Sequence, residues 1–486
     1  MSSPPLRFLP RVDVLADLLP SEFSHAERVR AARSAIDDLR FAYQDVPFGA
    51  VGPEPIVAQA REAALKYLWS SSEPFPARVL NATGIIVHTG LGRSRLSRAA
   101  IEAVVQVARD GSALEVQIES GQRGRRDEVI AALLREITGC QDATVVNNGA
   151  GATLLSLTSL CAPGEVACSR GELVEIGGGF RMPDVMSQSG CLLREVGTTN
   201  KTRASDYRQV LEGNPNARGI LKVHPSNFRI QGFTGEASIG ELAALARELS
   251  LPLVDDLGSG ALLDLGAWGL DEPTVQSHVR AGADAVIFSG DKLLGGPQCG
   301  IICGKSSAIT RIRRHPLTRA LRCDKMTLAA LHATLLSYRD SSGNFARARA
   351  EIPTLRALCE DALAVKRRAQ QLKRQLEQTS QRATQGAVDN PLPEQDGFSK
   401  LKWVASVRPS RAQAGAGSLP ARDLESWSVV ISPGGGLSVD DLARALRLAG
   451  LWGRIESDAL WLDARTLSPE DVAEASRIAG SVLKGL

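Results

Sequence analysis

The sequence lacks any run of apolar residues that is long enough to cross a membrane. Hydrophobic residues make up 43% of its 486 positions, yet no stretch approaches the ~18 consecutive apolar residues of a transmembrane helix. The amino terminus, MSSPPLRFLPRVDVLADLLP, also lacks the apolar segment of a secretory signal peptide. We therefore expect a cytoplasmic protein with no membrane partner.

Paired cysteines and grouped histidines are absent as well. None of the eight cysteines forms a CxxC pair, and the six histidines show no metal-binding spacing. A chain of this length can bury enough apolar surface to fold without disulfides. These absences predict free thiols in a reducing compartment and no bound metal.

Neither sign of charge dominates the chain. Its 57 basic and 54 acidic residues leave a net charge of +3, which excludes a polybasic protein but permits a local basic patch. The most basic segment, KRRAQQLKR at 366–374, is more typical of a solvated helix face than of an RNA contact. The sequence GxxxxGK followed by Ser or Thr is also missing, which argues against a P-loop nucleotidase.

The distribution of apolar and polar residues divides the chain into three regions. Apolar residues before about residue 75 follow helical periodicity, and SSSEPFP at 70–76 marks a boundary. Short apolar runs then alternate with amphipathic segments, which predicts a mostly parallel sheet covered by helices. The last region begins with a polar helix at about 355–378 and continues through a polar loop at 379–397. Two strand–helix units end the chain and indicate a small α+β domain.

A lysine and an aspartate follow two buried strands of the predicted sheet. Lys292 comes after the apolar run at 284–290, and Asp256 ends the run at 251–257. Ligands of open α/β sheets bind at the carboxyl ends of strands, where we expect both side chains. An amine that holds an aldehyde and a carboxylate that keeps a pyridine nitrogen protonated are the pair that pyridoxal phosphate requires. The alternative, a solvated loop lysine, is disfavoured by Asp256.

A phosphate-binding turn is expected where Asn147–Gly151 ends a strand and begins an apolar helix. Backbone N–H groups at the amino terminus of a helix suit a phosphate dianion. The glycine pattern alone is weak, and a Rossmann fingerprint is broken at Leu154. We expect His88 and His224, which follow apolar strands, at the same ligand-bearing edge. The predicted phosphate ligands are Asn148, Gly149, Ala150 and Ser289.

Arginines supply candidate oxyanion ligands. Arg319 and Arg322 lie three residues apart, so on a helix they would face the same way, and Arg93 lies in a glycine-rich turn. Guanidinium groups favour oxyanions such as phosphate. The basic run at 310–325 is also typical of a solvated face, and for Arg319 and Arg322 both interpretations stay open.

Several long segments resemble one known family, the bacterial selenocysteine synthases, or L-seryl-tRNA(Sec) selenium transferases. The resemblance extends from about residue 9 to 467 and is weakest at about 379–430. The segments that carry it include SRGELVEIGGGFRMPDVM (169–186), KVHPSNFRI (222–230), FSGDKLLGGPQCG (288–300) and HPLTRALRCDKMTLAALHATL (315–335).

The resemblance implies a fold-type-I pyridoxal-phosphate-dependent transferase of the α/β class with a mostly parallel central sheet. Such an enzyme converts L-seryl-tRNA(Sec) to L-selenocysteinyl-tRNA(Sec) by eliminating water and adding selenium from selenophosphate. The family forms homo-oligomeric rings of dimers with active sites between subunits. The implied domains are a helical, tRNA-binding region at 1–75, a cofactor-binding α/β domain at 76–335 and a small α+β domain at 336–486.

The resemblance also implies roles for individual residues. Lys292 corresponds to the lysine that binds the cofactor, Asp256 to the partner of its pyridine nitrogen, and Asp291 to the aspartate before that lysine. The arginines that receive selenophosphate correspond to Arg93, Arg319 and Arg322. Arg170 and Glu172 are expected to flank the cofactor ring without an assigned role.

The chain departs from the family pattern at five positions. Gly90 and Gly149 stand where the family usually has Asn, Gly151 and Cys299 where it has Ala, and Phe228 where it has Tyr. Gly90 lies close to Arg93 and so bears on the donor pocket. Two alternative functions fit the same residues: a pyridoxal-phosphate lyase acting on a small amino acid or amino sugar phosphate, and a non-catalytic tRNA-binding relative. The amino-terminal region disfavours the first, and Lys292 with Asp256 disfavours the second.

Overall fold

A computed structural model describes most of the chain, and its residues form two compact units, 1–79 and 80–486. Among the described residues, no helix is both long and apolar enough to cross a membrane. The described ranges are 8–43, 53–72, 76–177, 179–226, 228, 230–339, 345–385, 403–434 and 436–485.

The first unit contains three helices, as its apolar periodicity predicts: α1 (Val12–Asp17), α2 (His25–Ala42) and α3 (Pro53–Ser72). Helix α2 begins with a capping box, in which the Ser24 hydroxyl accepts from the Glu27 N–H and the Glu27 carboxylate accepts from the Ser24 N–H. Buried Leu15, Ile36 and Leu68 connect the three helices in one small core.

The second unit contains two main sheets. Its strands, in chain order, are β1 (Leu80–Asn81), β2 (Asp142–Val146), β3 (Gly164–Ser169), β4 (Glu175–Gly177), β5 (Phe180–Arg181), β6 (Cys191–Val196), β7 (Ala217–Val223), β8 (Leu253–Gly258), β9 (Ala285–Ser289), β10 (Gly300–Gly304), β11 (Trp403–Gly415), β12 (Ser418–Pro433), β13 (Leu451–Trp452), β14 (Arg454–Glu456) and β15 (Ala459–Asp463).

Helices separate most of these strands. In chain order they are α4 (Arg98–Arg109), α5 (Glu128–Thr138), α6 (Gly149–Leu160), α7 (Met182–Gln188), α8 (Ala204–Leu211), α9 (Ile239–Glu248), α10 (Val275–Ala281), α11 (Ser306–Arg314), α12 (Leu317–Ala320), α13 (Lys325–Tyr338), α14 (Ala346–Glu351), α15 (Pro353–Cys359), α16 (Ala362–Gln385), α17 (Val439–Leu448) and α18 (Asp471–Gly485).

The central sheet has seven strands in the order β2-β10-β9-β8-β7-β3-β6. Strands β6, β3, β7, β8 and β9 are parallel, and β10 is antiparallel to both of its neighbours. Apolar side chains of one strand enter cores on both faces: Val286 and Phe288 belong to one core, Ala285 and Ile287 to the other. The expected mostly parallel, doubly covered sheet is confirmed.

The second sheet is antiparallel, with the order β11-β12-β15-β14, and it packs with α16, α17 and α18 in a separate core. The two expected strand–helix units are β12–α17 and β15–α18. The predicted helix at 355–378 is instead divided into α15 and α16, because the helical backbone breaks at Glu360, which is extended. Residues 379–385 of the expected loop are helical, and 386–397 lie outside the described residues.

Candidate active site

Lys292 and Asp256 lie at the carboxyl ends of adjacent parallel strands. Asp256 belongs to β8, and Lys292 follows the end of β9 by three residues; they are 9% and 6% exposed. Asp256 Oδ2 accepts a 2.7 Å hydrogen bond from the Thr153 hydroxyl, and Oδ1 accepts one of 2.9 Å from the Gly258 N–H. An ideal Cβ on Gly258 would lie 3.8 Å from Lys292 Nζ. The structure therefore brings together the two residues that the sequence predicts as a pair.

Burial shifts the pKa of both groups towards their neutral forms. It raises the pKa of Asp256, although the Thr153 hydrogen bond and the Lys292 charge act to lower it. It lowers the pKa of Lys292, against the attraction of Asp256. A cation held at Asp256 would favour the ionised carboxylate, whereas an aldehyde reacts with the neutral amine that burial favours at Lys292.

The expected phosphate-binding turn is built by the start of α6. Asn148 caps this helix, because its side-chain oxygen accepts a 2.7 Å hydrogen bond from the Gly151 N–H. Gly149 faces Ser289, the last residue of β9, and a Cβ added at Gly149 would lie only 2.7 Å from the Ser289 hydroxyl oxygen. Asn148, Gly149, Ala150 and Ser289 thus surround a helix amino terminus, where backbone N–H groups and the helix dipole favour an anion.

Arg93 is fixed against the residue that precedes Lys292. Its Nη1 lies 3.0 Å from Asp291 Oδ2, and the Asp291 side chain is 7% exposed while that of Arg93 is 39% exposed. Arg93 has a left-handed backbone, φ 63°, and its N–H donates a 3.0 Å hydrogen bond to the His88 carbonyl. Ser94 adds hydrogen bonds to the carbonyls of Asp291 and Lys292. Asp291 therefore orients Arg93 beside the lysine.

The prediction that Arg319 and Arg322 lie on one face of a helix is wrong. Helix α12 has four residues and ends at Ala320, so Arg322 lies beyond it. Arg322 instead forms a bridge with Val146 at the end of β2, and the Asn147 N–H donates to the Leu321 carbonyl at 2.8 Å. The Arg322 backbone consequently lies beside the entry to the phosphate-binding turn. Both arginine residues are exposed.

His224 follows β7 at the expected edge. Its N–H donates a 2.9 Å hydrogen bond to the Asp256 carbonyl, and its Nε2 lies 3.6 Å from Glu272 Oε1. That distance exceeds a hydrogen bond, and the buried Nε2 has no partner among the described residues. The Ser259 hydroxyl donates to Glu272. His88 Nδ1 is likewise buried without a partner in the described part of the chain, and burial lowers the pKa of His88.

Sequence reasoning missed the buried ion pair beneath this edge. Lys222 Nζ donates a 3.0 Å hydrogen bond to Glu172 Oε1, and the Val223 N–H donates one of 2.9 Å to Oε2. Glu172 is therefore held by β7, whereas Arg170 is exposed and paired with Glu195. Thr153 was also missed, because it lies within an apolar helix. Its position, one helical turn after the predicted phosphate ligands, is the feature of the sequence that could have identified Thr153.

All eight cysteines are free thiols, and seven of them are buried. Within the described ranges, no group of three or more His, Cys, Asp or Glu side chains could hold a metal ion. The site therefore consists of a lysine, carboxylates, arginines and a helix amino terminus.

The strand order, a lysine after β9 and an aspartate on β8 define a fold-type-I pyridoxal-phosphate-dependent enzyme. Within that class, the chain belongs to the L-seryl-tRNA selenium transferase family, whose model matches residues 79–468. The family resemblance of the sequence and the expected cofactor are confirmed.

Curated relatives match nearly the whole chain. It is 44% identical over 482 residues to the L-seryl-tRNA(Sec) selenium transferase of Methylocella silvestris, with 96% of each chain covered. The protein of the same name from Moorella thermoacetica is 42% identical over 489 residues, which covers 99% of this chain and 97% of the relative. A solved structure of D-glucosaminate-6-phosphate ammonia-lyase is similar with a TM-score of 0.55, at 18% identity, over 86% of this chain and 98% of that one. At that identity the likeness shows the fold alone.

Proposed function

We propose that this chain replaces the hydroxyl group of L-seryl-tRNA(Sec) with selenium to give L-selenocysteinyl-tRNA(Sec). The observation that carries the proposal is the full-length match to relatives of that name, combined with a buried lysine and aspartate on neighbouring strands. The remaining roles below rest on the geometry of the site.

The residues present fit pyridoxal phosphate. Lys292 would hold the aldehyde carbon, and Asp256 the pyridine nitrogen. A Cβ at Gly149 would fill the space between the start of α6 and Ser289. The glycine leaves this space open, which supports phosphate binding there. The phosphate ligands would be Asn148, Gly149, Ala150 and Ser289. When bound, this cofactor withdraws electrons from the α-carbon of an attached amino acid.

Lys292 would move the seryl α-proton. Its burial favours the neutral amine, which can accept a proton, whereas a solvated lysine at neutral pH is almost entirely protonated. Proton transfer by a positioned group of this kind typically contributes about 10²–10⁴-fold in rate. The seryl oxygen would then take up a proton and leave as water, the selenium of selenophosphate would bond to the β-carbon, and Lys292 would return the proton to the α-carbon. Water would cleave the phosphorus–selenium bond and release phosphate.

Arg93, Arg319 and Arg322 would bind selenophosphate, the selenium donor. The support is the bond between Arg93 and buried Asp291, which fixes one guanidinium beside Lys292, and the bridge that anchors the Arg322 backbone beside the turn at Asn147. Guanidinium groups bind phosphate-type oxyanions through paired N–H donors. Asp291 serves here as the residue that orients Arg93.

We extend the proposal to the assembly. The helical unit at the amino terminus, 1–75, would contact the tRNA, residues 76–335 would carry the cofactor, and residues 336–486 would form the small domain. The chain would act in the cytoplasm as a homo-oligomer, a ring of dimers with sites between subunits. Support comes from the similarity to the family, which extends through the amino-terminal unit.

The test is conversion of seryl-tRNA(Sec) by the purified, pyridoxal-phosphate-loaded protein supplied with selenophosphate. We expect selenocysteinyl-tRNA(Sec) from the unaltered chain and none from Lys292→Ala. Lys305→Ala is the matched control, because Lys305 is 40% exposed in its side chain and paired with Asp284. Absence of product from the unaltered chain would refute the proposal.

A further inference from the structure

A cavity of about 330 Å³ adjoins the proposed reaction site. Its wall includes His224 and Glu272, and the His224 N–H donates a 2.9 Å hydrogen bond to the carbonyl of Asp256. We propose that this cavity binds the 3′-terminal nucleoside of the aminoacyl-tRNA, with the seryl ester directed towards Lys292. The inference rests on the proposed function and names a subsite for its substrate.

The strand order gives the cavity its position. Ser289 ends β9, Asp256 lies on β8, and His224 follows β7, and these strands are successive neighbours in the sheet. The cavity wall at His224 and the phosphate-binding turn at Ser289 therefore lie on opposite sides of Asp256. A substrate that reacts beside Lys292 must leave the phosphate side free, and the cavity at His224 offers space for its larger part on the other side.

The size of the cavity suits a nucleoside better than a free amino acid. Pockets that enclose small organic ligands typically measure about 300–1,000 Å³, and this cavity is at the lower end of that range. A seryl group has only a few non-hydrogen atoms and would leave most of the space empty. The attached adenosine, which ends every aminoacyl-tRNA, supplies a ligand of suitable size.

The wall also offers the groups that recognise a nucleoside. Phe228 and Ile230, each 37% exposed, present apolar surface against which a base can stack. Glu236 and Asp271 supply carboxylate oxygens that can accept from ribose hydroxyls or an exocyclic amine. The buried His224 Nε2, which has no partner among the described residues, is a further polar atom in this wall.

Two cations line the cavity, Lys201 and Arg422, and Lys201 also contacts an exposed aromatic ring just outside the cavity wall. Lys201 Nζ lies 4.0 Å from the centre of the Phe233 ring, and Phe233 is 78% exposed. The Lys201 and Gly235 backbones form a bridge that holds the two loops together, and Arg422 reaches the cavity from β12. Aromatic rings beside cations are the usual means of binding unpaired nucleotides. The phosphate preceding the terminal nucleoside would lie at Lys201 and Arg422.

The experiment measures binding of a minimal probe to the full-length, cofactor-loaded protein. The probe is 3′-deoxy-3′-(L-serylamido)adenosine 5′-phosphate, whose amide cannot be hydrolysed as the ester can. Loss of base stacking in Phe228→Ala and loss of a phosphate contact in Arg422→Ala should each raise its Kd about tenfold. Phe228→Tyr keeps an aromatic face and should retain binding.

Arg194→Ala is the matched control, because Arg194 is a half-exposed arginine outside the cavity wall. Thermal unfolding of each variant checks that the fold is kept. Unchanged Kd values in both Phe228→Ala and Arg422→Ala would overturn the subsite. So would equal binding of a probe in which the adenosine is replaced by a methyl group.

Turnover separates failure of the subsite from failure of the proposed function. If the unaltered chain converts seryl-tRNA(Sec) and the two variants raise KM about tenfold, both proposals stand. Conversion with unchanged KM and unchanged probe Kd in the variants refutes the subsite alone. No conversion by the unaltered chain refutes the function, while probe binding that depends on Phe228 and Arg422 would still establish a nucleoside site.

Discussion

The Thr153 hydroxyl donates a 2.7 Å hydrogen bond to Asp256 Oδ2, and this bond joins helix α6 to strand β8. The same helix begins at Gly149, in the phosphate-binding turn. One helix thus carries the N–H groups that we propose bind the phosphate and also holds the carboxylate that would face the pyridine nitrogen. A single turn of helix would fix the spacing between the two ends of the proposed cofactor site.

Replacing Thr153 with Val should weaken pyridoxal-phosphate binding by about tenfold, since hydrogen bonds to charged groups contribute about 1.5–3 kcal/mol. Removal of the donor should also raise the pKa of Asp256 further, because the Thr153 bond acts to lower it. Titration of the cofactor-free protein with pyridoxal phosphate, followed by absorbance, gives the Kd. Thr153→Ser keeps the hydroxyl and should bind normally; equal Kd values for Val and Ser would contradict the role.

Gly149→Ala tests the phosphate-binding turn. The added Cβ would lie 2.7 Å from the Ser289 hydroxyl oxygen, so the hydroxyl must rotate away and could no longer donate to the phosphate that we propose binds there. We expect the Kd for pyridoxal phosphate to rise about tenfold. In a Ser289→Ala background the same substitution should have little further effect. Gly111→Ala is the control, because nothing lies within 4 Å of a Cβ at Gly111.

If Gly149→Ala and Ser289→Ala instead raise the Kd additively, the two residues do not act through this contact.

The sheet and the lysine–aspartate pair could be predicted because both depend on local patterns. Apolar runs with polar residues at their ends identify buried strands, and parallel strands bring those ends to one edge. The position of Asp256 and Lys292 followed from that rule without knowledge of the strand order.

The arginine arrangement could not be predicted, because it depends on tertiary contacts. The periodicity of Arg319 and Arg322 fits a helix, but α12 stops at Ala320 since Arg322 pairs with Val146, a residue far away in the sequence. The contact of Thr153 with Asp256 likewise joins residues 103 positions apart. Sequence periodicity contains no information on such pairings.

Asp291→Asn tests the orientation of Arg93. The substitution removes the charge that holds the Arg93 guanidinium at 3.0 Å, so selenophosphate should bind to a less ordered arginine. We expect its KM to rise about tenfold, as for the loss of one charged hydrogen bond, with an unchanged Kd for pyridoxal phosphate. Arg98→Ala, at a fully exposed arginine paired with Glu102, should change neither. A rise in cofactor Kd without a change in KM would show that Asp291 acts on the cofactor instead.

Asp471, the first residue of α18, provides a pH-dependent contribution to stability. It accepts hydrogen bonds from Arg95 Nη1 at 2.5 Å and from the Ser468 N–H at 2.8 Å. Burial acts to raise the pKa of Asp471, but these bonds and the Arg95 charge outweigh burial and lower it. The folded protein therefore binds this proton more weakly than the unfolded chain. The stabilisation is present above the unfolded pKa of about 3.9 and is lost as the pH falls through the folded value.

Asp471→Asn should accordingly lower Tm by about 1–2 °C at pH 7, and the difference from the unaltered chain should shrink as the pH is lowered to 3. Differential scanning calorimetry at both pH values measures it. Asp440→Asn is the matched control, because Asp440 also lies in the first turn of a helix, α17, but is exposed. A Tm difference for Asp471→Asn that stays constant between pH 7 and pH 3 would show that the ionised carboxylate is not what stabilises this helix terminus.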